Sequence, residues 1–197
     1  MTSGPPDAQV LATWLRTGTA RAAADADQAQ CGTFDIRIAA DGTWFYHGSP
    51  IGRKSLVRLF SNVLYRDAQG SYWLVTPVEQ GRIEVEDAPF TAVELATVGD
   101  GRDQVLRFRT NVDDWVEADA EHPIRVTHHP STGEPRPYVL VRGRLEALIL
   151  RPVFYDLVAQ GGPRTIGEAT RYGVCSKGIF FPLDEPGFPL DEPGADR

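Results

Sequence analysis

The spacing of apolar residues predicts a helix near the start of the chain. Four apolar residues fall on one face of such a helix: Val10, Leu11, Trp14 and Leu15. This spacing is typical of an amphipathic helix, so we expect a helix over residues 8–24. Residues 1–30 are therefore interpreted as one N-terminal helix with a short lead-in.

A hairpin and a second helix are predicted next. The segment FDIRIA alternates between apolar and polar residues, and Asp41-Gly42 is a dipeptide that favours a tight hairpin turn, so a hairpin is expected over residues 34–47. A helix is expected over residues 53–65, because apolar residues form one stripe there. The stripe consists of Leu56, Leu59, Phe60, Val63 and Leu64.

The middle of the chain consists of short extended runs separated by Gly, Pro and Asp. These runs are SYWLVTP, GRIEVE, FTAVELATV, QVLRFRT and DWVEA. Such a series of strands predicts an antiparallel sheet that curls or closes, and the fold class is therefore α+β.

The last third of the chain resembles the first third in the order of its elements. Ile36-Arg37-Ile38 matches Ile124-Arg125-Val126, and a turn and second strand follow each. A helix with an apolar stripe follows each strand, which predicts a helix at residues 151–160 in a position equivalent to 53–65. We therefore predict an internal duplication of a strand–turn–strand–helix unit, although any hairpin followed by a helix could imitate it.

These patterns divide the chain into four segments. After residues 1–30 come an α+β unit at 31–80 and a curled-sheet unit at 81–183, which contains the second repeat. The tail, 184–197, overlaps a direct repeat: FPLDEPG occurs at 181–187 and again at 188–194. Proline and acidic residues at this density predict an extended or disordered end.

Charge and cysteine content narrow the classes of partner. The formal net charge is −7, which argues against nucleic acid and anionic membranes as partners, because these bind basic surfaces.

Cys31 and Cys175 are isolated, and His128-His129 is poorly spaced for chelation, so no metal is expected. The first residues show no secretory signal, and no apolar run could span a membrane, which favours the cytoplasm. Neither the charge nor the cysteine content excludes a homodimer.

Two blocks of sequence carry a resemblance to a known family. DGTWFYHGSPIGRKSLVRLF followed by SYWLVTPVEQGRIEVEDAPF, and later GVCSKGIFFPL at 173–183, resemble the bacterial domain-of-unknown-function family 1285. The resemblance covers residues 30–183. It implies a two-part α+β fold, whose C-terminal half has a pleckstrin-homology-like shape with a curled sheet closed by a helix. It also implies a binding or signalling role, with a ligand site where the two halves meet.

No motif predicts a catalytic residue or a cofactor. GSPIGRKS at 48–55 departs from the phosphate-binding G-x-x-x-x-G-K-[ST] pattern, because only three residues separate Gly48 from Gly52 and Arg53 precedes Lys54. The G-x-S-x-G motif of hydrolases is absent. Arg53 and Lys54 stay candidates for binding an anion, since they are basic residues at a predicted helix N-terminus, which they do not stabilise.

The predicted ligand site combines aromatic side chains with basic ones. Its six members are Trp44, Tyr46, Arg53, Lys54, Trp73 and Arg82. Aromatic faces beside an arginine form a pocket for a small anionic metabolite or a peptide carboxylate. The chain is thus interpreted as a non-enzymatic ligand-binding or signalling module. The alternatives are an adaptor that uses an exposed sheet and the tail, and an enzyme of unrecognised type.

Overall fold

The computed structural model describes residues 30–77, 79–166 and 169–184. The chain divides into two compact units. The first comprises Phe45–Glu84 with the described part of Met1–Arg37, and the second comprises Ile38–Trp44 and the described part of Val85–Arg197. The helix predicted at 8–24 and the predicted tail beyond Asp184 lie outside the described residues.

The described part of the first unit is built on a six-stranded sheet and one helix. Its elements are β1 (Gln30–Ile38), β2 (Trp44–Tyr46), β3 (Ser49–Pro50), α1 (Lys54–Asn62), β4 (Leu64–Arg66), β5 (Tyr72–Val75) and β6 (Glu79–Val85). The strand order in the described sheet is β3-β2-β1-β6-β5-β4. The hairpin predicted over 34–47 is confirmed. Gly42 adopts φ 84° in its turn, a backbone angle that glycine takes without strain.

Helix α1 is shorter than the sequence pattern predicted. It ends at Asn62, and the N–H of Val63 caps it by donating to the carbonyl of Phe60. Leu64, which the apolar stripe assigned to the helix, is instead the first residue of β4, pairs with Leu74 and is buried. The stripe continued across the boundary because a buried strand residue is as apolar as a buried helix residue.

The described part of the second unit contains two sheets and one α-helix. Its elements are β7 (Phe90–Val98), a 3-10 turn (Gly101–Asp103), β8 (Val105–Thr110), β9 (Trp115–Glu117), β10 (Ile124–His128), β11 (Pro135–Arg142), β12 (Leu145–Ile149), α2 (Arg151–Ala159), β13 (Gly162–Ile166), β14 (Ala169–Ser176) and β15 (Ile179–Pro182). One described sheet has the order β10-β11-β12-β7-β8-β9, and β13-β14-β15 form another. In the six-stranded sheet, neighbouring strands pair antiparallel, except that β12 and β7 are parallel.

Alternation along the strands of the second unit builds its core. In β8, Leu106, Phe108 and Thr110 are fully buried, and the residues between them are partly exposed. In β10, Ile124 and Val126 are buried while Arg125 and Thr127 lie on the other face. This alternation is what a sheet with one covered face requires, and it leaves the opposite face for polar side chains.

The order of elements differs from the prediction in two respects. Within each predicted repeat, three strands and not two precede the helix. The additional strand is β3 in the first repeat, and in the second it is β12, which RLEALIL forms instead of extending β11. Three further strands follow α2, so the last described element is β15 and the expected closing helix is not found in the described residues. The structure is therefore α+β and mostly strand, while the duplication and the pleckstrin-homology-like shape remain predictions.

Candidate functional site

The predicted aromatic and basic residues occupy different environments. Trp44 is 1% exposed and packs in the core, so it does not offer a surface to a ligand. Tyr46 is half-buried, and its ring centroid lies 4.2 Å from that of His47. Arg53 is the N-cap residue of α1, Lys54 is its first helical residue, and both are exposed.

Trp73 and Arg82 are brought together by strand pairing in the first unit. Trp73 pairs with Arg82 on β6 and with Tyr65 on β4, so the three side chains form a row on one face of the sheet. The indole N–H of Trp73 donates to Oδ2 of Asp67 at 2.8 Å. This hydrogen bond is the main cause that lowers the pKa of Asp67. Arg82 is exposed and Tyr65 is 48% exposed, so the row faces solvent.

A cavity of about 500 Å³ lies within the second unit, where β11, the end of β12 and the start of α2 meet. Its polar lining consists of His129, Glu134, Arg136 and Arg151. Its apolar lining includes Leu148, Phe154 and Tyr155. The volume falls in the range of pockets that take small molecules, and the lining combines two arginines with two aromatic rings. We therefore regard this cavity as the candidate functional site.

Arg151 is held loosely at the cavity. Its guanidinium forms an ion pair with the carboxylate of Glu134, and the two side chains are 65% and 50% exposed. An ion pair this exposed contributes about 0–1 kcal/mol, because water solvates the separated charges nearly as well. Arg151 can therefore exchange Glu134 for another carboxylate at little cost in stability.

Arg136, which lies on β11, is held firmly in the lining. Its Nη2 donates to Oδ2 of Asp87 at 2.5 Å, and the hydroxyl of Tyr138 donates to Oδ1 of the same carboxylate at 2.8 Å. Burial, together with Asp87, raises the pKa of Tyr138 to about 12, so Tyr138 stays protonated and donates at neutral pH. Because both oxygens of Asp87 are engaged, the orientation of Arg136 is fixed.

A second ion pair supports the same face of the sheet. Nε and Nη2 of Arg125 donate to the two oxygens of Glu146 at 2.5 and 2.7 Å, and the guanidinium lies 4.5 Å from the ring centroid of Tyr138. Burial alone would lower the pKa of Arg125, but the hydrogen bond and charge of Glu146 outweigh it and raise that pKa. Glu146 is only 7% exposed, so this pair is a rigid part of the wall behind Tyr138.

Sequence reasoning missed this cavity, although two signals pointed to it. Phe154 lies in the helix predicted at residues 151–160, and in the structure it is half-buried and lines the cavity. Arg151 is a basic residue in the first turn of α2, the same feature that singled out Arg53 and Lys54. Arg136 gave no signal, because its partner Asp87 lies on a distant part of the chain.

Two further features bear on the class of protein. Among residues 30–77, 79–166 and 169–184, no helix is long and apolar enough to cross a membrane. The same residues contain no group of three or more His, Cys, Asp or Glu side chains arranged to hold a metal ion.

Comparison with known proteins identifies the family that this chain matches. Residues 26–88 match the N-terminal domain model of the DUF1285 domain of unknown function, and residues 89–183 match its C-terminal domain model. A crystal structure of a DUF1285 family protein from Silicibacter pomeroyi DSS-3 is 46% identical, with a TM-score of 0.75 over 88% of this chain and 93% of that one.

A more distant structure shares the fold alone. A DUF1285 family protein from Shewanella baltica OS155 is 23% identical, with a TM-score of 0.51 over 64% of this chain and 91% of that one. No curated protein matches the chain. The cavity lining, from His129 to Tyr155, lies wholly within the match to the C-terminal family domain.

Proposed function

The chain belongs to the DUF1285 family, and from that premise we propose that it is a non-enzymatic ligand-binding protein whose pocket lies in the C-terminal family domain. The observation that carries the proposal is the 500 Å³ cavity lined by Arg136, Arg151, Phe154 and Tyr155. The family resemblance in the sequence predicted a ligand site where the two halves meet. The proposed pocket lies within the second unit.

The lining favours an amphipathic anion as the ligand. Two guanidinium groups offer planar pairs of donors that match a carboxylate, and arginine remains charged at any physiological pH. Leu148, Phe154 and Tyr155 offer apolar contact to the rest of the molecule. A small carboxylic acid with an aliphatic or aromatic body, or the C-terminal residue of a peptide, satisfies both halves of the lining.

The two arginines have different parts in this proposal. Arg136 is preorganised by Asp87 and retains further N–H donors for a ligand, since a guanidinium carries five. Arg151 exchanges the carboxylate of Glu134 for that of the ligand. A signalling role follows if this exchange releases Glu134 to a partner protein.

Thermal unfolding with a matched set of probes tests the proposal. Sodium octanoate and 3-phenylpropionate should raise the melting temperature of the protein, because a ligand that binds only the folded state stabilises it. The corresponding neutral amides, octanamide and 3-phenylpropanamide, should not. Amides that stabilise the protein equally well would contradict recognition by arginine.

Two arginine variants locate the site. Arg151→Ala should leave the melting temperature of the free protein nearly unchanged and abolish the shift caused by the carboxylates. Arg82→Ala is the matched control, because Arg82 is an exposed arginine in the first unit, opposite Trp73. If Arg82→Ala abolishes the shift and Arg151→Ala does not, the aromatic row of the first unit is the ligand site instead.

The row formed by Tyr65, Trp73 and Arg82 favours a second candidate function. An exposed tyrosine and a half-buried tryptophan beside an arginine are typical of a surface that contacts another protein. Under this adaptor proposal, Trp73→Ala removes binding of a partner without changing the response to octanoate. Loss of the octanoate response in Trp73→Ala would argue against separate roles for the two regions.

We also infer that the segments β1–β6 and β10–β15 arose by internal duplication. In the described residues, each segment contains three strands, a helix and three more strands. The first and last strands lie together in both: β1 next to β6, and β10 in contact with β15. An arginine lies over an aromatic ring at the matched positions, Arg37 over Phe45 and Arg125 over Tyr138. Superposition of the two segments on their Cα atoms tests this inference, and a crossed strand order would overturn it.

A further inference from the structure

The C-terminal repeat gives the chain two segments with the same sequence, and the structure shows what the first of them does. Residues 181–187, here called the first copy, read FPLDEPG, and residues 188–194, the second copy, repeat this sequence without change. The described part of the first copy ends at Asp184. It completes β15 and the turn that follows.

Each of the first four residues of the first copy except Pro182 has a defined structural role. Phe181 and Leu183 are 5% and 6% exposed. The N–H of Leu183 donates to the carbonyl of Tyr172 at 2.9 Å, and the N–H of Tyr172 donates to Oδ2 of Asp184 at 3.0 Å. Phe181 pairs with Val174 on β14. The edge of β14 therefore forms a groove that holds Phe181, Leu183 and Asp184.

Gly173 on β14 makes this groove possible. A Cβ at Gly173 would clash with the carbonyl oxygen of Phe181 and would lie 2.6 Å from Cζ of Phe180, so no other residue fits there. The groove thus depends on backbone shape and on two apolar positions, and the second copy offers the same side chains in the same order.

We propose that the second copy is an alternative occupant of this groove within the same chain, so that residues 188–191 replace residues 181–184. The exchange conserves both apolar side chains, the carboxylate and the backbone donors. Residues 181–187 then form a closed loop of seven residues. Only the entropy of closing that loop and the contacts of the flanking residues distinguish the two arrangements.

The hairpin before the groove confines the exchange to residues after Phe180. The N–H of Lys177 donates to the carbonyl of Gln104, and that of Gly178 to the carbonyl of Arg102. The Lys177 ammonium also lies 2.9 Å from carboxylate oxygens of both Glu117 and Asp119. These contacts fix the turn between β14 and β15, so the strand cannot slide as a whole and the added residues must loop out beyond it.

The consequence is a change in which residues project from the sheet edge. When the second copy is in the groove, the seven residues 181–187 project there as a loop. Asp184 then leaves its hydrogen bond with the N–H of Tyr172, and Asp191 takes its place. This inference is independent of the cavity and of the proposed ligand.

Melting temperatures of paired variants of the full-length chain test the exchange. Leu183→Ala weakens the first copy, Leu190→Ala weakens the second, and the double variant weakens both. We expect Leu190→Ala alone to leave the melting temperature within about 1 °C of the parent, whereas the double variant should melt at least about 4 °C below Leu183→Ala. If the double variant has the same melting temperature as Leu183→Ala, the proposal is overturned.

Two milder substitutions and a shortened chain test the exchange even if the alanine variants do not fold. Leu183→Val and Leu190→Val repeat the design with a smaller perturbation. Ending the chain after Gly187 should lower the melting temperature of Leu183→Val but not of the parent, because only the variant relies on the second copy. Equal effects of the truncation on both chains contradict the exchange.

Protein concentration separates exchange within a chain from exchange between chains. In the proposed arrangement, the stabilisation of Leu183→Ala by the second copy is independent of concentration, and light scattering gives the mass of the parent protein. Stabilisation that increases with concentration, together with a doubled mass, would overturn the proposal that the occupant belongs to the same chain.

Discussion

The segments β1–α1 and β10–α2 contain the same elements but bury them to different depths. The third strand of the first segment, β3, has two exposed residues and lies at the edge of its sheet. Its counterpart β12 has five residues and lies between β11 and β7, so four of its five residues are buried. Position in the sheet, and not the order of elements, thus decides how much of such a segment becomes core.

The two helices show the same contrast. Each has nine residues, but Ser61 is the only buried residue of α1, whereas α2 buries Val153 and Leu157. Leu59 and Phe60, which the sequence assigned to the apolar stripe of the first of these helices, are half-buried. An apolar stripe on one face therefore predicts that a helix forms. It does not predict how many residues the helix buries, because that number depends on the sheet against which the helix packs.

The largest expected effect comes from the ion pair on β12. Glu146→Ala should lower the free energy of unfolding by about 3–5 kcal/mol, because it leaves the Arg125 guanidinium without its partner in a partly buried position. Urea denaturation measures this. The double variant Arg125→Met with Glu146→Leu should be less destabilised than the single one. A single variant at least as stable as the double one would show that the pair is less buried than the structure indicates.

Replacing a leucine by alanine in each helix should lower the free energy of unfolding by unequal amounts. Leu157→Ala should lower the free energy of unfolding by about 2–5 kcal/mol, because Leu157 is fully buried. Leu59→Ala should lower it by about 1–2 kcal/mol, since a half-buried side chain loses part of that burial energy. Chemical denaturation of both variants under the same conditions compares them. Equal losses would mean that α1 contributes to the core as much as α2.

The smallest expected effect is a difference in acid sensitivity between the units. Although burial opposes it, hydrogen bonds from Lys177, from the His122 side chain and from backbone N–H groups lower the pKa of Asp119 to about 2. Its folded pKa is depressed, so its contribution to stability is complete above about pH 4 and is lost as the pH falls towards 2.

Melting temperatures measured from pH 5 to pH 2 test this difference. Asp119→Asn should flatten the decrease in stability on acidification. Asp67→Asn in the first unit should flatten it less, because the main partner of Asp67 is the neutral indole of Trp73. Glu121→Gln serves as the control. An equal effect of all three variants would exclude a special role for the hydrogen bonds of Asp119.

Local signals explain which features could be predicted from the sequence. Asp41-Gly42 specified a turn by backbone preference, and the stripes specified both helices to within a few residues. The site required long-range information. The position of Arg136 depends on Asp87, and that of Arg125 depends on Glu146, and no spacing rule links such residues before the strands pair. Trp73 and Arg82 were both named from the sequence, but their direct pairing came from the register of β5 and β6.

The parallel pairing of β12 with β7 has a consequence for how quickly the chain folds. The meanders β7–β8–β9 and β10–β11–β12 can each form from neighbouring strands, but joining them requires Ala147 to meet Phe90, far back in the chain. Such distant pairing must overcome the entropy of a large loop before it gains any contact energy. We therefore expect closure of this seam to limit the folding rate, with both meanders formed earlier.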